Sequence, residues 1–108
     1  MLERRRTPRY PIDKQARLTL LAEPAISTVV TIRNISEGGL QLMLNLLLRT
    51  GESLRLEAED VDIHGYVQYC CHWKGGYVAG ILLEEIRFRG RELTTTDFIE
   101  NWAALQQA

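Results

Sequence analysis

From Lys14 onward the chain is divided into short stretches whose apolar residues recur at every second position. Ala16, Leu18, Leu20 and Ala22 alternate with Gln15, Arg17, Thr19 and Leu21, the period of a strand with one buried face. Residues 27–33 are rich in β-branched side chains (Thr28, Val29, Val30, Thr31, Ile32), which suit a pleated surface. Leu40, Leu42 and Leu44 oppose Gln41 and Met43, and Leu54 and Leu56 oppose Ser53, Arg55 and Glu57. Two more strands are expected over residues 61–71 and 77–84, joined through Trp73-Lys74-Gly75-Gly76, whose glycines mark a hairpin. Residues 45–51 hold too many consecutive leucines for a clean alternation and read as a connection packing partly under the sheet. No helical crossover separates these stretches, so a parallel sheet is disfavoured. The expected fold class is mainly β: six antiparallel strands closed into a small barrel, which also removes exposed edges.

The two ends of the chain differ from this body. Phe98, Trp102 and Leu105 recur at helical spacing, which predicts a C-terminal helix over about residues 92–107. Its start can be capped by Thr94 with Asp97 or by Asp97 with Glu100. A short amphipathic helix is marginal without a surface to bury, so Phe98 and Trp102 are expected to lie across the barrel or across a partner, with the barrel favoured. At the other end, residues 1–13 contain Pro8, Pro11 and a run of arginines with no apolar period, and read as an extended, flexible arm before a barrel and helix over residues 14–108.

Charge separates the same two parts. Residues 1–17 carry six basic side chains against two acidic ones, +4, so the rest of a chain with net charge −1 must carry −5. A basic arm on an acidic body points to a local anionic ligand, because a surface for nucleic-acid polymer would extend over the body too. With 108 residues there is room for one domain. No apolar run is long enough to cross a bilayer and the N-terminus lacks a signal-peptide pattern. A cytoplasmic location without membrane insertion is expected.

Few residues carry recognisable chemistry. Cys70 and Cys71 are adjacent, and neighbours in a strand point to opposite faces. They therefore cannot share a metal with His64 and His72, and no second ligand pair completes a site. No nucleophile stands at a recognisable spacing from either histidine, so neither catalysis nor a cofactor is expected. Two stretches remain. In Glu3-Arg4-Arg5-Arg6-Thr7-Pro8-Arg9, Arg5 and Arg9 supply planar forks of donors suited to phosphate and to the guanine edge. In Asn34-Ile35-Ser36-Glu37-Gly38-Gly39, Asn34 and Ser36 offer hydrogen bonds, while Gly38 and Gly39 permit positive φ and close approach of a ligand.

In combination these stretches are more specific. The Arg-x-x-x-Arg of Arg5 and Arg9, the Asn-x-Ser-x-x-Gly of Asn34, Ser36 and Gly39, and the Gly-x-x-apolar of Gly80 and Leu83 resemble, in order and spacing, the PilZ family. The resemblance implies a six-stranded β-barrel that binds the second messenger cyclic di-GMP. By it, Arg5 and Arg9 hold guanine and phosphate groups as the arm folds over the ligand, Asn34 and Ser36 bond to it from the barrel, and Gly39 leaves room for a base. Arg4, just before the first motif arginine, goes with binding of an intercalated ligand dimer in that family. Leu83 departs from the aromatic residue often found there. The implied role is a receptor that signals through an as yet unidentified protein partner in motility, biofilm or virulence control. A nucleotide-independent adaptor docking on a motility or secretion protein is the alternative.

Overall fold

The computed structural model describes residues 9–100. Its strands are β1 (Tyr10–Leu20), β2 (Ile26–Ile35), β3 (Gly39–Leu44), β4 (Ser53–Ala58), β5 (Val61–Trp73), β6 (Gly76–Phe88) and the short β7 (Arg91–Glu92), followed by a helix, α1, over residues 95–100. All neighbouring strands pair antiparallel, in the order β3-β2-β1-β4-β5-β6-β7. A further pairing of β3 with β6 closes β1–β6 into a ring of six. This is the architecture expected from the alternation, with the ring solving the edge problem for most of its circumference.

The alternating apolar residues point into the ring. Leu18, Ile32, Leu42, Leu54, Leu56 and Ile63 are all at most 1% exposed, each contributing about 1.5–3 kcal/mol by leaving water. The leucine-rich connection between β3 and β4 crosses one end of the ring. There Leu48 is buried and its N–H donates to Cys70 Sγ at 3.4 Å, while Leu47 faces solvent. Cys70 is half-buried and Cys71 exposed, one step more open than a buried and a half-exposed pair. At the C-terminal side Thr94 caps α1: its Oγ1 accepts from Asp97 N–H at 3.1 Å and its carbonyl from Phe98 N–H at 3.0 Å. Phe98 is 2% exposed within the core, so α1 lies on its own ring. Trp102 and Leu105, expected to continue that face, lie outside the described residues.

Several boundaries differ from the sequence expectation. β1 ends at Leu20, so Ala22 lies exposed in the connection to β2, and β2 and β5 extend to Ile35 and Trp73. β1 begins at Tyr10, so residues 10–13, assigned to the arm, are strand. Pro11 fits there because proline is tolerated early in a strand, and Ile12 already reaches the core at 7% exposure. β6 runs to Phe88 and turns through Arg89 and Gly90, both at positive φ, into β7. Such a two-residue hairpin favours a pair of left-handed residues, and Lys74-Gly75 between β5 and β6 makes the same turn. The helix begins at residue 95, after β7 has used residues 91–92. On the outer face of β4 and β5, Arg55 donates Nε and Nη2 to the two Asp62 oxygens at 2.9 and 2.8 Å. Those hydrogen bonds, more than the Coulombic attraction, hold the Asp62 carboxyl below its ordinary range.

Candidate functional site

The polar turn after β2 is a tight hairpin. Ser36 N–H donates to Gly39 O at 2.8 Å and Gly39 N–H to Ser36 O at 3.3 Å, leaving Glu37 and Gly38 at the tip. The Ser36 hydroxyl leans on the same Gly39 carbonyl at 3.5 Å. Neither Gly38 nor Gly39 has a positive φ, and open space surrounds the Cβ position of Gly38. Gly39 is required for a different reason: a Cβ there would collide with the carbonyl oxygen of Ile81 on β6. The space left by Gly39 on that side is filled by the backbone of the ring itself.

Two β-bulges turn the other site residues outward. Along β2 the inward positions are Val30 and Ile32, so Asn34 would also point into the core. Instead Ile32 pairs with Leu42 and Asn34 with Gln41, leaving Arg33 as an extra residue. The bulge reverses the alternation, so Ile35 is buried at 1% exposure and Asn34 faces outward beside Gln41. In β5, Val67 pairs with Ile81 and Tyr69 with Gly80, leaving Gln68 extra. Tyr69, which simple alternation would send inward after Val67, therefore lies on the outer face over Gly80. A Cβ at Gly80 would run into the Tyr69 ring. Bulges commonly re-aim a side chain in this way.

A chain of hydrogen bonds joins these residues. Arg9 Nη1 donates to Asn34 Oδ1 at 3.2 Å, Asn34 Nδ2 to Gln41 Oε1 at 2.9 Å, and Gln41 Nε2 to the Tyr69 hydroxyl at 3.0 Å. Beside it lies a depression of about 170 Å³, walled by Arg9, Ser36, Gly39, Gln68, Tyr69 and Leu82. Arg9, Asn34, Ser36, Gly38 and Gly39 are thus brought to one place, whereas Arg4 and Arg5 lie outside the described residues. Asn34 sits between Arg9 and Gln41 and positions both. Gln41, Gln68 and Tyr69 were not anticipated, because the bulges that aim Asn34 and Tyr69 leave no mark in the apolar pattern. Leu83, the departure from the family pattern, is half-buried against the core.

A closed ring of six antiparallel strands, with a guanidinium, an amide pair and a phenol gathered on its outer face, defines a small all-β domain. A family model for the PilZ domain matches residues 3–102. The chain belongs to the PilZ domain family. The structure of the Bacillus subtilis inhibitor of motility (MotI/DgrA) is similar in fold, with a TM-score of 0.63 at 19% identity over 95% of this chain. This chain spans 53% of that one, about half its length. No curated protein matches the sequence.

Proposed function

We propose that the protein is a cyclic di-GMP receptor that acts through a protein partner. The observation that carries this reading is the Arg9–Asn34 hydrogen bond, which joins the two family motifs across 25 residues of sequence at the edge of one depression. Arg9 uses a single N–H on Asn34, so its remaining donors are available to a phosphate or to the guanine O6/N7 edge. Tyr69 is 36% exposed and tethered by its hydroxyl, so its ring offers a fixed face for stacking a base. At about 170 Å³ the depression is smaller than the roughly 300–1,000 Å³ of a site enclosing a whole drug-sized ligand. It suits one base, with the rest of the dinucleotide lying over the outer face beneath Arg4 and Arg5. Fixing each arm residue costs about 1–2 kcal/mol, and each charge-assisted hydrogen bond returns about 1.5–3 kcal/mol. The arginines of the arm can therefore offset its ordering, and the ordered arm is the new surface offered to the partner. The likeness to an inhibitor of motility makes motility control the first process to examine.

Calorimetric titration with cyclic di-GMP tests the reading. The intact protein binds, and a variant with Arg5→Ala and Arg9→Ala gives no heat. Asn34→Ala weakens binding by about tenfold, the equivalent of one lost charge-assisted contact. Two ligands per chain would assign Arg4 to an intercalated dimer. Neither heat nor a shift in melting temperature with the intact protein would refute the receptor and leave the nucleotide-independent adaptor.

A further inference from the structure

Pairing around the ring is incomplete on the far side of β2. β2 pairs with β3 only from Thr31 to Ile35, while its first half, Ile26 to Val30, pairs with β1 alone. Among the described residues no other strand covers the far edge of that half. The five residues contain no lysine, proline or bulge, and the chain leaving β3 flanks the edge only at its ends, with Leu44 and Asn45 beside Val30 and Leu46 and Leu47 beside Ile26. Ile26 and Val29 are 45% and 55% exposed.

Beside this edge lies a slot of about 430 Å³ between Val29–Thr31 on one side and the tip of the β5–β6 hairpin at Trp73–Gly76 on the other. Trp73 has two cations on its ring, the Arg33 guanidinium and the Lys74 ammonium, each 4.6 Å from the ring centre. Neither cation forms an ion pair with a carboxylate among the described residues, and no acidic side chain lines the slot.

We infer that this slot is a docking site for an extended acidic segment of a partner protein, added as a strand to the free edge of β2. A peptide backbone supplies the hydrogen bonds that the edge lacks, and alternate side chains give specificity. Apolar residues of the segment cover Val29 and Trp73, and carboxylates meet Arg33 and Lys74. A second copy of this chain pairing edge to edge is disfavoured, because it would bring its own Arg33 and Lys74 to the same place. The site is separate from the depression at Arg9 and does not depend on nucleotide.

Two capped heptapeptides test the inference, one alternating valine with glutamate and one alternating valine with lysine, each titrated into the isotope-labelled protein and followed by amide NMR. The acidic peptide shifts the amides of residues 26–30 and the Trp73 indole N–H, and the lysine peptide does not. A variant carrying Arg33→Glu and Lys74→Glu keeps its dispersed strand spectrum, binds the acidic peptide about tenfold more weakly and accepts the lysine peptide. The inference is overturned by silence at residues 26–30, by an equal response to both peptides, or by shifts confined to Arg9, Asn34 and Tyr69. Concentration-dependent shifts at the edge without peptide would also overturn it, in favour of self-association.

Discussion

Gly39 and Gly80 stand on paired strands of the same face, yet their replacement by alanine should have opposite consequences. At Gly39 the added Cβ meets the Ile81 carbonyl oxygen, a backbone atom fixed by the β3–β6 ladder in which Gly39 pairs with Leu82. Relief requires the two strands to part, and overpacking of this kind costs about 1–3 kcal/mol. The smaller entropy of the unfolded alanine chain returns about 0.4–1 kcal/mol. A net loss of about 1.3 kcal/mol corresponds to a melting temperature lower by about 5–10 °C in a domain of this size. At Gly80 the Cβ meets the Tyr69 ring, a side chain at the surface that can swing away. That gives up the Gln41–Tyr69 hydrogen bond, worth about 0.5–1.5 kcal/mol, against the same unfolded-state gain. Gly80→Ala should therefore melt within about 3 °C of the parent while losing the tethered ring and most of its ligand affinity. Calorimetric melting curves and tyrosine fluorescence measure both. If Gly80→Ala melts as low as Gly39→Ala, or Gly39→Ala melts like the parent, the assignment of one glycine to the ladder and the other to the ring is wrong.

Other perturbations separate the remaining contributions. Phe98→Ala removes a side chain that is 2% exposed and should cost about 3–5 kcal/mol, read as a lower midpoint in denaturant; an unchanged midpoint would mean that α1 does not pack on the ring. Tyr69→Phe keeps the ring over Gly80 but frees Gln41, so ligand affinity should fall only about threefold to tenfold by titration. The Asp62 carboxyl has a folded-state pKa below its unfolded value because it accepts from Arg55. Its contribution is present above the unfolded value of about 3.9 and is lost as pH falls through the lower folded value. Melting curves across the acid range should show that loss in the parent and not in Arg55→Gln.

How much of this was legible in the sequence follows from what period-two alternation can encode. The inward residues Ala16, Leu18 and Leu20 and the pair Leu54 and Leu56 keep strict parity and all face the core, although the first strand ends before Ala22, which the pattern includes. Asn34 and Tyr69 do not, because each follows a bulge: Arg33 and Gln68 shift the register by one and exchange the two faces. Nothing in the local composition marks either insertion, since it is the partner strands that decide which residue is left unpaired. The Asn-x-Ser-x-x-Gly spacing located the turn but not the reason for Gly39, which is a collision with a strand more than forty residues away. Likewise Arg89-Gly90 is a hairpin that became evident only once β6 was seen to run on to Phe88.

The ring is not equally strong at all its joints. β5 and β6 are paired along nearly their whole length, from Val61 against Phe88 to Trp73 against Gly76. β1 meets β4 only from Arg17 to Leu20, and its leading half, from Tyr10 to Ala16, has a ladder with β2 alone, helped by the exposed Lys14–Glu59 ion pair. Tension applied through the chain ahead of Tyr10 thus loads that half like the free end of a zipper, its pairs parting in turn. At Arg17 the strand gains a second neighbour, and the load must shear two ladders at once. The leading half of β1 is accordingly a mechanical fuse, and Arg9, just beyond its end, is the last grip before it.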